Sequence, residues 1–322
     1  MTDLVRVPDA VGRYGKPPAE RTVPELLARG LVLIDKPQGP TSHQVSAWVR
    51  DMLGVPQAGH GGTLDPRVTG VLPIAFGEAT RALDALLIGD KEYVGVLQLH
   101  QDVPDARLRD MIGRFLGEIY QTPPVRAAVK RQLRTRHVYE FEALETQGRL
   151  TLFRVRCESG TYVRTLCNDL GEALGVGANM VDLRRTRAAE FREADLASMN
   201  ALKDAFHAWK TEGEEAGLRA VLRPMEQLLA HLPSIVVKDT AVDALCHGAD
   251  LMVKGVVRLD GHIRKGSEVA VHTLQGEGVA LATALLPAEG IYDAERGVAA
   301  DVTRVLMRPG TYPKLWRSSG KS

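Results

Sequence analysis

Apolar and polar positions alternate most cleanly over residues 137–157. Thr151, Phe153, Val155 and Cys157 interleave with Leu152, Arg154 and Arg156, the period of two expected of a strand. Residues 137–144 read as its partner, with Gln147 and Gly148 marking the turn of a hairpin. A helical period appears at Val45, Trp48, Val49 and Met52, where Thr41 or Ser42 can cap the start and Gly54 ends the pattern. The same period places Leu108, Met111, Ile112, Phe115 and Leu116 on one helix face that Gly117 closes. A further helix, begun by Ser159-Gly160-Thr161, carries Leu166, Leu170 and Leu174 on one face. Apolar runs at 31–34, 71–76 and 93–99 predict buried strands, and residues 78–87 a helix.

Strands therefore mix with helices through hairpins rather than regular βαβ units. The expected fold class is α+β, a mainly antiparallel mixed sheet with flanking helices. Residues 201–209 and 214–229 predict two more helices. Beyond Leu232-Pro233 the pattern changes. Short strands at 234–237, 249–253, 256–259, 268–273 and 279–285, punctuated by glycines, predict a small β-barrel. Residues 1–29 hold Pro8, Pro17, Pro18 and Pro24 and read as an extended arm, for which the barrel is a candidate resting place. The expected organisation is an arm over 1–29, a first domain over 30–232, the barrel over 233–310 and a tail over 311–322.

A chain of 322 residues is long enough for two cores. No apolar run is long enough to span a bilayer, and the charged N-terminus lacks a signal core. A cytoplasmic protein is the expectation. Cys157, Cys167 and Cys246 form no C-x-x-C pair and no zinc-spaced cluster, so neither a disulfide framework nor a metal is expected. Net charge is +1. That total can conceal a basic groove, because Arg126, Lys130, Arg131, Arg134 and Arg136 lie close together, as do Arg184, Arg185 and Arg187. A solvated strand or helix face explains each cluster equally well.

The densest chemical signal is Gly59-His60-Gly61-Gly62-Thr63-Leu64-Asp65-Pro66-Arg67-Val68-Thr69-Gly70. It sets one carboxylate, Asp65, in a glycine-rich turn ahead of an apolar run. Glycines let backbone approach a ligand closely, and Pro66 biases Asp65 away from helical geometry. An ordinary turn explains the segment alone about as well.

Other segments change that balance. They are Ile34-Asp35-Lys36-Pro37 with Gly39-Pro40-Thr41-Ser42-His43; Lys91-Glu92-Tyr93-Val94; residues 122–136; Ser159-Gly160-Thr161-Tyr162-Val163-Arg164-Thr165-Leu166; and residues 177–187. Together with the Asp65 segment, and in this order, they closely resemble the TruB and dyskerin family of RNA pseudouridine synthases, the archaeal H/ACA ribonucleoprotein type above all. Residues 246–251, Cys-His-Gly-Ala-Asp-Leu, resemble a PUA domain. Three positions depart from the family pattern. Gly61 replaces a Ser or Thr, Asn179 replaces a His, and Ala188-Ala189-Glu190 lacks a glycine-containing turn.

The resemblance implies an enzyme that detaches a uridine at its glycosidic bond, turns it and rejoins it through carbon, without cofactor or metal. Asp65 becomes the essential carboxylate. Attack on the sugar carbon and removal of a sugar proton both remain open for it. Arg164 would pair with Asp65, keep it ionised and aim it. Tyr93 would stack on the everted base and shuttle a proton. Lys36, Pro37 and Tyr162 would support the site. His43, His60, Arg126, Lys130, Arg131 and Arg134 would meet the RNA, and His247 and Gly248 would meet it in the PUA domain. Implied partners are an H/ACA guide RNA, rRNA and tRNA substrates, two small accessory proteins and a kink-turn-binding protein. The competing class is a non-catalytic PUA-type RNA-binding scaffold.

Overall fold

The computed structural model describes residues 3–123 and 132–315. In chain order the first elements are β1 (Asp3–Val5), α1 (Val23–Arg29), β2 (Gly30–Lys36), α2 (Ser42–Leu53), β3 (Ala58–His60) and β4 (Thr69–Phe76). There follow β5 (Lys91–Leu99), α3 (Asp105–Gly113), β6 (Gly117–Gln121), β7 (Arg134–Gln147), β8 (Leu150–Cys157), α4 (Val163–Ala173) and β9 (Ala178–Ala188). Next come β10 (Phe191–Arg192), α5 (Met199–Glu212), α6 (Ala216–Val221) and β11 (Leu222–Pro224). The last stretch holds β12 (Ser234–Val237), α7 (Asp239–Cys246), β13 (Leu251–Met252), β14 (Val256–Asp260), β15 (Glu268–His272), β16 (Gly278–Ala284), α8 (Ala288–Asp293) and β17 (Val298–Val305).

Two sheets organise the described residues. The larger runs β11-β2-β4-β9-β5-β8-β7-β6, with β10 paired to β9 and β3 to β4. Its pairings are antiparallel except for β4 with β9, where Thr69 faces Arg184 and Gly70 faces Arg185. Gly70 is required at that crossing. Its φ is 99°, and a Cβ there would lie 2.2 Å from the carbonyl oxygen of Arg185. The smaller sheet runs β1-β14-β12-β15-β16-β17-β13, with β12 and β15 parallel.

The alternating hairpin of β7 and β8 forms as its pattern dictates, burying Phe141, Phe153, Val155 and Cys157. At α2 the cap is Thr41. Its side chain accepts from the Gln44 N–H while Gln44 reaches back to the Thr41 N–H. The larger sheet is packed on separate apolar clusters. Val32, Ile34, Val45, Val49 and Leu72 make one, and Leu97, Phe153, Leu166 and Leu170 another. A third cluster joins Leu31, Leu33 and Leu86 of the larger sheet's side to Ala270, Leu281 and Leu306 of the barrel, so the two domains share apolar core.

Several elements differ from the sequence expectation. The helix expected over residues 78–87 forms over 77–87 and is of the tighter 3₁₀ kind. Gly117 begins a strand, with φ 89°, instead of closing a helix. The helix expected over 214–229 breaks at Leu222, because Pro224 disfavours helical geometry before it and residues 222–224 pair with β2. The arm and tail are less detached than their composition suggests. β1 adds an edge strand to the barrel sheet, Asp3 facing Asp260 and Val5 facing Arg258. Arg6 donates to the carbonyls of Val253, Ile291 and Ala294. Tyr312, in the expected tail, is buried in the barrel core and donates to the Tyr14 carbonyl at 2.9 Å. Among the described residues no helix is long and apolar enough to cross a membrane.

Candidate active site

The Asp65 loop links β3 to β4 and is tied down from three directions. Lys36, fully buried at the end of β2, donates its ammonium to the carbonyls of Pro37, Pro66 and Val68 at 3.0, 3.2 and 2.9 Å. Two of those carbonyls lie within three residues of Asp65. Burial pulls the Lys36 ammonium below its usual range, and the nearby Asp65 carboxylate opposes that. Ser42, at the start of α2, donates from its hydroxyl to the Leu64 carbonyl at 3.1 Å and accepts from the Leu64 N–H at 2.9 Å. Gly39 donates to the Pro66 carbonyl at 2.8 Å. Pro37 itself is exposed, so what it brings to this frame is its carbonyl.

Arg164 arrives from the first turn of α4. Its Nη2 donates to Asp65 Oδ2, closing an ion pair between residues 99 positions apart. Both side chains are about half exposed, 50% and 51%, so the pair faces an open surface rather than an interior. The preceding residue but one, Tyr162, fixes where α4 starts. Its N–H donates to Gln121 Oε1 at 2.9 Å and its carbonyl accepts from Gln121 Nε2 at 3.2 Å. Gln121 is buried and anchors the helix start to the end of β6.

Tyr93 stands on β5 directly across from Arg185 of β9. Its side chain is almost fully buried, and burial raises the phenol above its ordinary range while Arg185 pulls the other way. Arg185 was legible only as one member of a basic cluster. The structure separates the three arginines. Arg184 pairs with Asp35 and Glu193, and Arg187 with Asp90. Arg185 is 1% exposed and donates to two carbonyls, Val71 at 2.8 Å and Gly62 at 3.3 Å. The available signal was the alternation of Leu183 and Arg185, both buried on one face of β9.

His43 and His60 meet edge to face, ring centroids 4.7 Å apart. Burial, then the neighbouring His43 and Arg185, hold the His60 imidazole down at about 4. Two of the eight candidate RNA contacts thus lie together beside the Asp65 loop.

Comparison with known proteins follows the same outline. Residues 50–163 match the family pattern described as TruB family pseudouridylate synthase, N-terminal domain, and residues 164–230 match the tRNA pseudouridylate synthase B C-terminal domain. The chain belongs to the TruB family of pseudouridine synthases. Residues 233–306 match the PUA domain and residues 10–46 the DKCLD domain. A probable tRNA pseudouridine synthase B of Methanopyrus kandleri is 52% identical over 304 residues, covering 94% of this chain and 90% of the relative. Its namesake in Methanothermobacter thermautotrophicus is 50% identical and covers 98% of both. A solved Cbf5-Nop10-Gar1 complex contains a chain of TM-score 0.93 and 46% identity, covering 98% of this chain and 96% of that one. A chain in an H/ACA ribonucleoprotein bound to a substrate RNA containing 2′-deoxyuridine gives 0.91 and 44%, covering 98% and 97%.

Within the TruB framework the three departures have physical causes. A Cβ at Gly61 would lie 2.1 Å from Leu86 Cδ1, so Leu86 fills the space a larger residue would need. Asn179 accepts through its Oδ1 from the Nε2 of His100 at 3.0 Å, a pairing that ties β9 to the end of β5. Ala189 takes φ 52°, the position that lets β9 and β10 close a two-residue hairpin, with Phe191 facing Ala188. Its methyl packs where Gly89 leaves room.

The remaining candidates are scattered. Arg126, Lys130 and Arg131 lie outside the described residues. Arg134 begins β7. Arg136, from the same cluster, is held by Glu158 at 3.2 Å, which also accepts the His137 N–H. In the PUA domain, His247 ends α7 with its Nδ1 2.7 Å from the Asp243 carbonyl, and Gly248 follows at φ 84°. Gly248 has nothing within 4 Å of where a Cβ would sit, so the backbone there is open to a ligand.

Proposed function

We propose that this chain isomerises uridine to pseudouridine in RNA at the Asp65–Arg164 pair, acting within an H/ACA ribonucleoprotein. The observation that carries the reading is the carboxylate of Asp65, framed by Lys36 and Ser42, meeting Arg164 on an open surface with Tyr93 close by. The N1–C1′ bond breaks, the base turns, and a C5–C1′ bond forms. The C5 proton leaves and N1 takes one up, so the product is an isomer. Asp65 acts on the ribose, as nucleophile or as base. Arg164 aims it, and Tyr93 supports the everted base and relays the proton. His43, His60, Arg126, Lys130, Arg131 and Arg134 contact the RNA backbone, and His247 and Gly248 contact guide RNA.

The protein partners follow from similarity. Chains of like fold occur in the Cbf5-Nop10-Gar1 complex and in an H/ACA ribonucleoprotein holding substrate RNA. The small accessory proteins are assigned on that basis, and a kink-turn-binding protein, rRNA targets and a cytoplasmic site of action on the family resemblance. Reconstitution with a guide RNA and the accessory proteins should convert the uridine that the guide selects. RNA bound without any conversion overturns the reading.

A second substrate is tRNA, since the curated relatives carry the name tRNA pseudouridine synthase B. Incubation of the chain alone with unmodified tRNA tests it. The intact Asp65–Arg164 pair argues against a purely non-catalytic scaffold.

A further inference from the structure

We propose that Arg185 is a positioning residue for this isomerisation, holding the Tyr93 phenol and the Gly62 turn in fixed relation to one another. The inference rests on the proposed function above. Its starting point is an imbalance of charge. Arg184 and Arg187, flanking it on β9, each pair with a carboxylate. Arg185 is the most deeply buried of the three and makes no salt bridge among the described residues; its guanidinium donates instead to the Val71 and Gly62 carbonyls. Enclosing an unneutralised cation costs several kcal/mol before any hydrogen bond offsets it. An apolar residue could fill the same strand position at less cost. The charge has to be explained by what it holds.

Its contacts converge on the site. Val71 is the third residue of β4, the strand that leaves the Asp65 loop, and Gly62 lies three residues before Asp65 on the entering side. Arg185 therefore spans both ends of the loop. A Cβ on Gly62 would come within 3.4 Å of Arg185 Nη1, so loop and guanidinium are in van der Waals contact. Tyr93 faces Arg185 across the β5–β9 pairing, and each influences the ionisation of the other. The planar fork of a guanidinium can serve a carbonyl on one side and a phenol on the other, which the single point of a lysine cannot do at once. The role assigned to Arg185 needs no contact with ribose or base. It acts through Tyr93 and the loop.

The test is a double-variant cycle in single-turnover pseudouridine formation, using the full chain with the RNA that supports wild-type activity. The variants are Arg185→Gln, Arg185→Lys, Tyr93→Phe and Arg185→Gln with Tyr93→Phe, with RNA affinity measured alongside. Arg185→Gln should keep RNA affinity within about twofold and slow product formation about a hundredfold, because positioning and not groove charge is lost. The double variant should be no slower than the slower single variant, the sign of residues acting as a unit. Arg185→Lys should recover part of the rate. If Arg185→Gln fails to fold, Arg185→Lys decides the matter. A folded Arg185→Lys at the wild-type rate overturns the proposal, and one slowed at unchanged RNA affinity supports it. Losses that multiply in the double variant, or Arg185→Gln at the wild-type rate, overturn it while leaving the enzymatic reading intact. A wild-type chain that makes no pseudouridine overturns both.

Discussion

The hydroxyl of Ser42 grips both polar groups of the Leu64 backbone, 22 positions along the chain. All three groups are buried, so no solvent replaces a lost partner. The residue beside Asp65 is thereby fixed by a side chain that also sits at the start of α2. Ser42→Ala should cost about 1–3 kcal/mol in denaturant unfolding, the penalty of leaving a buried donor and acceptor unsatisfied. It should also slow product formation, since the loop that presents Asp65 loses an anchor. An unchanged unfolding midpoint would show that the loop re-pairs elsewhere.

Asp65→Asn keeps the shape of the side chain and removes its negative charge. Product formation should fall about a thousandfold or more while RNA affinity holds, because a reacting group and not a groove residue is changed. A tritium-release or mass-neutral nuclease assay for pseudouridine, run beside filter binding, separates the two effects.

Acid should reveal His60. Its imidazole titrates at about 4 in the folded chain against an ordinary value of 6.5, chiefly because burial disfavours the charged form. Between those values the unfolded chain binds a proton that the folded chain refuses, so stability from this group is fully present above about pH 6.5 and falls as pH drops toward 4. His60→Gln should flatten that part of the stability–pH curve. Parallel curves for wild type and variant would contradict the assignment.

Arg21 and Glu226 form a forked ion pair, both contacts 2.7 Å, with side chains 2% and 10% exposed. Glu226 also accepts the Gly278 N–H of the PUA sheet at 3.0 Å. Arg21→Met leaves the buried Glu226 carboxylate with only the Gly278 N–H and the more distant Arg29 guanidinium, 4.0 Å away, and should destabilise the chain by about 3 kcal/mol. Arg21→Met combined with Glu226→Gln should restore much of that loss in thermal melting.

RNA affinity should be steeply salt dependent despite a net charge of +1. From 50 to 200 mM salt, a few phosphate contacts weaken binding about tenfold or more. A flat response in a titration of binding against salt would argue against backbone contacts by the basic residues.

How much was legible depended on whether a signal was local. The β7–β8 hairpin carries its own alternation, and α2 carries its own cap at Thr41. Asp65, Arg164 and Tyr93 stand in recognisable segments. Arg185 could not be told from Arg184 and Arg187 by charge, because only the sheet decides which guanidinium is enclosed. Gln121 and Ser42 act through backbone groups that the chain brings near only on folding. β17, reading Val-Ala-Ala-Asp-Val-Thr-Arg-Val, buries Ala299 and Ala300, too small to stand out as an apolar run. The break after α6 was written in Pro224, but its cause lies in the pairing of residues 222–224 with β2.

β1 gives the assembly of the molecule a particular order. Residues 3–5 leave the ribosome some 250 residues ahead of their neighbours in the sheet, 258–260. This strand must therefore stay unsettled until the PUA domain arrives to receive it. A nascent chain halted before residue 256 would hold every group of the Asp65 loop and still be unable to seat its own first strand.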